Sequence, residues 1–183
     1  MPAFKARLLV ASPRLNDGNF DRTVVYMLEH GDDGALGVVI NRPTELEVSS
    51  PLPTWQRFAG TPGVVFAGGP VSTSSVLALA WATSELPSGA FEVVDGRVGV
   101  LDLTHDADAI GPGLGSLRVF AGYAGWGPRQ LEGEIKQGAW YVVDARPDDP
   151  FSRAPEDLWR SVLARQPGAL AAVARVPEDL SVN

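Results

Sequence analysis

An asparagine and an arginine side by side at the end of an apolar strand are the first chemical feature of the chain. Leu36 to Ile40 is apolar and β-branched, and Asn41-Arg42-Pro43 closes it. A guanidinium held at a strand end can clamp a carboxylate or phosphate with two parallel N–H bonds, with the Asn41 amide beside it. The plainer reading of Arg42 is a structural ion pair with Asp17, Asp21 or Glu29. A second feature is Gly125-Trp126-Gly127-Pro128. Its chain amides run toward a helix N-terminus, where an anion is favoured, and Trp126 adds a flat apolar wall. The plainer reading is a tight turn with Trp126 plugging the core. Gly68-Gly69-Pro70 either lines the same cleft or forms an ordinary turn. Asp17 and Asn19, with Asn16, either cap and turn the backbone or make a polar rim. The expected binding site is therefore Asp17, Asn19, Asn41, Arg42, Gly68, Gly69, Gly125, Trp126 and Gly127.

Other chemistries find less support. A metal-independent hydrolase would draw its acid and base from Asp17, Asp21, Glu29 and His30, and needs two of them in one pocket. No Walker loop, G-x-S-x-G elbow or H-E-x-x-H occurs. Gly111-Pro112-Gly113-Leu114-Gly115-Ser116 falls one residue short of a dinucleotide fingerprint and runs into a strand rather than a helix. The two histidines, His30 and His105, stand far apart, and the chain has no cysteine. Neither a metal nor a cofactor is expected.

These groups need rigid elements to hold them. Leu8–Ala11 reads as a first strand. Thr23–Leu28 is apolar on both faces and so is expected to be buried on both. It pairs with Leu36–Ile40 across Gly31-Asp32-Asp33-Gly34 as a hairpin. The proline-rich stretch 44–62 offers a short helix near Trp55–Phe58. Val64–Phe66 and Val76–Trp81 are further strands. Phe91–Val94 and Arg97–Val100 form a second hairpin, for which Asp95-Gly96 predicts a type I′ turn. One or two helical turns follow at Asp106–Ile110, then a glycine loop at 111–115 and a strand at Leu117–Tyr123. A helix from Arg129 to Lys136 begins near Pro128 and ends before Gly138. Trp140–Val143 is a late strand. Leu158, Trp159, Val162 and Leu163 recur at helical spacing in a tail from Pro155 to Ala174, divided by Pro167-Gly168. Hairpins outnumber strand–helix–strand units. The expected class is α+β: seven or eight strands in a mixed, mostly antiparallel, barrel-like sheet flanked by about three helices. One domain spans 1–183. Its core is 1–143, and 144–183 holds a surface connection and the C-terminal helices.

The chain has 183 residues, 45% of them hydrophobic and 20% charged, which suits one self-sufficient domain. Four apolar residues near the start are too few for a signal-peptide core. The longest apolar run, Val76 to Ala82, is far short of the ~20 residues of a membrane span. With no cysteine and no Asn-x-Ser/Thr sequon, the reading is a cytoplasmic protein without membrane association. Net charge is −7, and the 15 basic residues are scattered. Their densest run, Arg153 to Arg175, is diluted by Glu156 and Asp157. Direct nucleic-acid binding is disfavoured, because phosphate contacts need a basic stripe.

Three blocks are distinctive. The first is Leu15-Asn16-Asp17-Gly18-Asn19-Phe20-Asp21-Arg22-Thr23-Val24-Val25-Tyr26, continuing to Gly34-Ala35-Leu36-Gly37-Val38-Val39-Ile40-Asn41-Arg42-Pro43. The second is Phe66-Ala67-Gly68-Gly69-Pro70-Val71. The third is Phe120-Ala121-Gly122-Tyr123-Ala124-Gly125-Trp126-Gly127-Pro128, with Gln130-Leu131-Glu132 and Trp140 after it. Together they resemble the YqgE/AlgH family of bacterial proteins. The resemblance implies an α+β domain with a barrel-like sheet. It brings no catalytic activity or cofactor, only an association of the AlgH name with transcriptional regulation that is readily indirect. The chain departs from the family where Gly18 replaces a common proline, Ala78 a histidine and Arg129 a glycine. Any role of that histidine does not carry over. The expected function is binding of a small anionic ligand or a protein partner through the strand-end residues. The alternatives are the hydrolase and a regulator acting through protein contacts.

Overall fold

A computed structural model describes residues 4–178. Among them are ten strands: β1 (Arg7–Ala11), β2 (Val24–Gly31), β3 (Gly34–Val39), β4 (Pro43–Glu47), β5 (Val64–Ala67), β6 (Val71–Ala82), β7 (Phe91–Asp95), β8 (Val98–Leu101), β9 (Leu114–Trp126) and β10 (Trp140–Asp144). Four short helices accompany them: α1 (Ala107–Ile110), α2 (Gln130–Lys136), α3 (Leu158–Ala164) and α4 (Ala169–Val173). The strands run β10-β1-β2-β3-β9-β6-β8-β7, with β4 and β5 attached beside β9. All pairs are antiparallel except β5 with β9. The sheet curls into a half-barrel, the α+β architecture read from the sequence.

Strand parity decides what each face meets. In β1 to β3, Leu8, Val10, Val24, Tyr26, Val38 and the following Ile40 pack beneath Leu158, Trp159, Val162 and Leu163 of α3. Their neighbours Leu9, Ala11, Val25, Met27 and Val39 face Leu131 of α2 with Trp126 and Trp140. Both faces are covered, which is why these strands read as unbroken apolar runs. Under the far half of the sheet, Val65, Ala78, Ala80, Leu117 and Val119 pack against Trp55, in a 3-10 turn at Pro53–Phe58, and Ile110 of α1.

β9 joins the two halves. Its edge pairs first with β5 and then with β3, while its other edge holds β6. Phe120 packs on the α3 side, and so does Tyr123 three residues on, so the alternation slips between them. The slip falls at Gly122, whose φ of +75° only glycine adopts at little cost, opposite the point where the register of β6 shifts between Val71 and Val76. Beyond it, Ala124 and Trp126 face α2 instead.

The elements differ from the sequence expectation in instructive places. β9 runs on to Trp126, so Gly125-Trp126 is strand, not turn, because β3 offers Ala35 and Leu36 as partners. β6 begins at Val71 rather than Val76, and β4 lies inside the stretch read as irregular. The β7–β8 turn is not type I′: Gly96 alone takes a positive φ, and a register shift between Val93 and Asp95 absorbs the difference. Residues 144–155 are more than a surface connection, since Asp149 and Pro150 are buried.

Candidate functional site

The strand-end residues singled out above form two depressions, not one. Asn19, Arg42 and Gly69 share a shallow hollow of about 220 Å³ with Thr73. Trp126 lines another of about 380 Å³ with Glu29, His30, Asp32 and Asp33. The two are kept apart by β3: Trp126 lies opposite Ala35 at its start, whereas Asn41 and Arg42 follow its end.

Within them most polar groups already hold backbone. The Asn41 amide accepts from Val24 N–H at 2.9 Å and donates to the Arg22 carbonyl at 2.9 Å, extending the β2–β3 ladder through a side chain. Arg42 makes no ion pair with Asp17, Asp21 or Glu29. Its guanidinium donates to the carbonyls of Gly18, Asn19 and Asp21 at 3.3, 2.6 and 2.8 Å, stapling the 16–22 loop. The Asp17 carboxylate caps that loop by accepting from Phe20 N–H. A Cβ on Gly68 would stand 2.4 Å from the Gly122 carbonyl, and one on Gly69 2.2 Å from that of Tyr123. The glycine pair therefore lets two backbones cross.

The third block closes on itself too. Gly127 N–H donates to the Gln130 carboxamide at 3.0 Å, so the turn leading into α2 is held by a side chain of the helix itself. One Glu134 oxygen accepts from both the Trp126 and Trp140 indoles, at 2.8 and 2.9 Å. Phe20 stacks on Trp126, 6.1 Å between centroids. Of the hydrolase candidates, Glu29 and His30 share the Trp126 depression. His30 Nδ1 accepts from Phe4 N–H, leaving Nε2 to donate to Glu132 at 2.5 Å. Bonds from its own backbone N–H and from His30 hold the Glu132 carboxyl below its ordinary range. No group of three His, Cys, Asp or Glu side chains is placed to hold a metal among the described residues.

A larger cavity lies elsewhere, and no contiguous motif marks it. About 900 Å³ opens between the ends of β6 and β9 and the segment 146–165. Trp81, Phe151 and Leu158 give it apolar wall, and Ser116, Ser152 and Ser161 give it hydroxyls. Arg146, Arg153 and Arg165 line it with Asp148 and Asp149. Asp149, 4% exposed, takes both ends of the Arg165 guanidinium, at 2.8 and 2.5 Å, and the Arg146 backbone N–H at 2.7 Å. The Asp149 bonds raise the Arg165 pKa above its usual value. Arg146 and Arg153 make no ion pair among the described residues.

Behind this cleft sits Arg118, 2% exposed. Parity puts it on the Phe120 face of β9, a core position, and its guanidinium lies 4.3 Å over the Phe66 ring. It has no carboxylate partner. Instead it donates to the carbonyls of Thr61 (2.8 Å), Pro150 (3.3 Å) and Ser152 (2.7 Å), tying both lips of the cleft to the sheet. Burial lowers its pKa to about 10, so it remains charged at neutral pH. An arginine inside the apolar run Leu117-Arg118-Val119-Phe120 was the one sequence signal of this site.

Comparison with known proteins places the geometry in a family. A model described as AlgH-like matches residues 8–171. A UPF0301 protein of Streptomyces avermitilis is 52% identical over 185 residues, covering 97% of this chain and 94% of the relative. One from Streptomyces coelicolor is 51% identical, again over 97% of this chain and 94% of its own. A crystal structure from Corynebacterium diphtheriae superimposes with a TM-score of 0.89 at 28% identity, covering 96% of this chain and 93% of that one. The solution structure of AlgH from Pseudomonas aeruginosa does so with 0.72 at 31% identity, covering 96% and 95%.

Proposed function

We propose, from the premise that this chain belongs to the AlgH-like family, that it is a small-ligand-binding domain whose site is the cleft between Trp81 and the 146–165 segment. The observation that carries this reading is the cleft itself. About 900 Å³ is within the range of ligand pockets, and its wall combines an aromatic ring with two arginines that no carboxylate satisfies. The protein would act in the cytoplasm. No helix among the described residues is long and apolar enough to cross a membrane. Any effect on transcription would be indirect, through ligand occupancy or a protein contact, in keeping with the net charge of −7 and the dispersed basic residues.

The first test is a thermal-shift screen against metal ions, neutral sugars, aromatic compounds, organic acids and phosphates. A ligand at about 100 times its dissociation constant adds ~2.7 kcal/mol, on the order of 5–10 °C for a domain of this size. A shift that disappears in Trp81→Ala supports the reading. A screen with no shift from any class, or with shifts that Trp81→Ala leaves intact, sinks it. A second reading keeps the Asn19–Arg42–Gly69 hollow as a contact point for a protein partner. It is favoured by the exposed residues Ser72–Ser75 along its margin.

A further inference from the structure

We propose that the ligand of the cleft is an organic dianion with a flat ring, its ring against Trp81 and its charge between Arg146 and Arg153. This rests on the cleft being the binding site. Two positive charges there lack a partner. Asp149 accepts both ends of the Arg165 guanidinium and the Arg146 backbone N–H, and pairs with the side chain of neither Arg146 nor Arg153. Asp148 offsets one charge, but the buried Arg118 adds another from behind, through carbonyls that belong to the two lips. The surplus is local, since the chain as a whole carries a net charge of −7. A monoanion would leave part of it unmet.

The neutral groups suit the same ligand. Ser152 Oγ accepts from Ala154 N–H, which leaves its own O–H to donate. Ser161 already donates to the Leu158 carbonyl and can only accept, so Ser152 rather than Ser161 would face an anion. Gly115 keeps the approach to the ring open: a Cβ there would stand 3.3 Å from Trp81 Cδ1. Aryl phosphomonoesters and aromatic ortho-dicarboxylates both have this chemistry, a planar ring with two negative charges at one end.

Calorimetric titration of the full chain with phenyl phosphate, phthalate, benzoate and inorganic phosphate tests it. Phenyl phosphate or phthalate is expected to bind about tenfold or more tightly than benzoate, the value of one further charge-assisted hydrogen bond. The tighter of the two identifies the phosphomonoester or the dicarboxylate. Arg146→Gln and Arg153→Gln should each abolish that advantage. Trp81→Ala should lower the affinity to that of inorganic phosphate. Thermal melts without ligand establish that the variants are folded. Equal binding of benzoate and the dianions, or an advantage that survives both arginine changes, overturns the proposal. If neither dianion binds while another class gives a thermal shift that Trp81→Ala abolishes, the ligand class is wrong and the cleft stands; if Trp81→Ala leaves that shift intact, both fall. If no class binds, both fall.

Discussion

At the Arg42 end of the sheet almost every unusual residue holds backbone, whereas in the cleft ordinary residues from five segments leave charges and a ring uncommitted. Asn41, Arg42 and Gly69 are each accounted for by a carbonyl, an amide or a close backbone crossing. The Arg146 and Arg153 side chains have no such partner among the described residues, and the Trp81 ring is only partly covered by the core. Residue types that look functional when read along a chain can be the ones a difficult backbone path requires. A site assembled across the chain leaves no such trace.

Three substitutions sharpen the contrast. The largest effect is expected from Gly69→Ala. Its φ of +149° and a Cβ 2.2 Å from the Tyr123 carbonyl leave no room short of moving β9. Urea unfolding should show a loss of ~4 kcal/mol or more, or no folded protein. A loss below ~1 kcal/mol would mean that the crossing is slack and the glycines serve something else. Next is Arg118→Met, which removes three carbonyl partners and a ring contact in the core. A loss of ~3 kcal/mol is expected, together with weakened ligand binding as the lips of the cleft come free. Smallest is Arg42→Met, at ~1.5 kcal/mol, since the bonds it breaks are near the surface. If instead it abolishes every thermal shift while costing little stability, the two regions exchange roles and the strand-end site is the functional one.

The fold was legible to the extent that it depends on local periodicity. The double-sided burial of β2 and the two hairpins follow from apolar runs bounded by turn residues. What the sequence concealed depends on partners distant along the chain. β9 continues to Trp126 because β3 lies beside it, and its faces exchange at Gly122 because Gly69 crosses there. Neither partner is visible from residues 117–126 alone. The cleft was hidden for the same reason. Along the chain Arg153 and Arg165 are only part of a basic run, and Trp81 only the end of a strand. Arg118, an arginine among buried apolar neighbours, was the clue that a polar structure must fold over that position.

The pairing of β1 with both β2 and β10 bears on how the chain is made. Leu8 meets Tyr26 after only a short stretch of chain, but Val143 only after most of the sheet has been made. Until then β1 exposes an unpaired edge, and the apolar residues that α3 will cover remain bare. Such long-range closure is slow relative to local pairing, and open edges are where nascent chains aggregate. The outer edge of β1 is therefore paired after β2, β3 and β9 have been made, and the yield of folded protein should depend on what shields β1 in the interval.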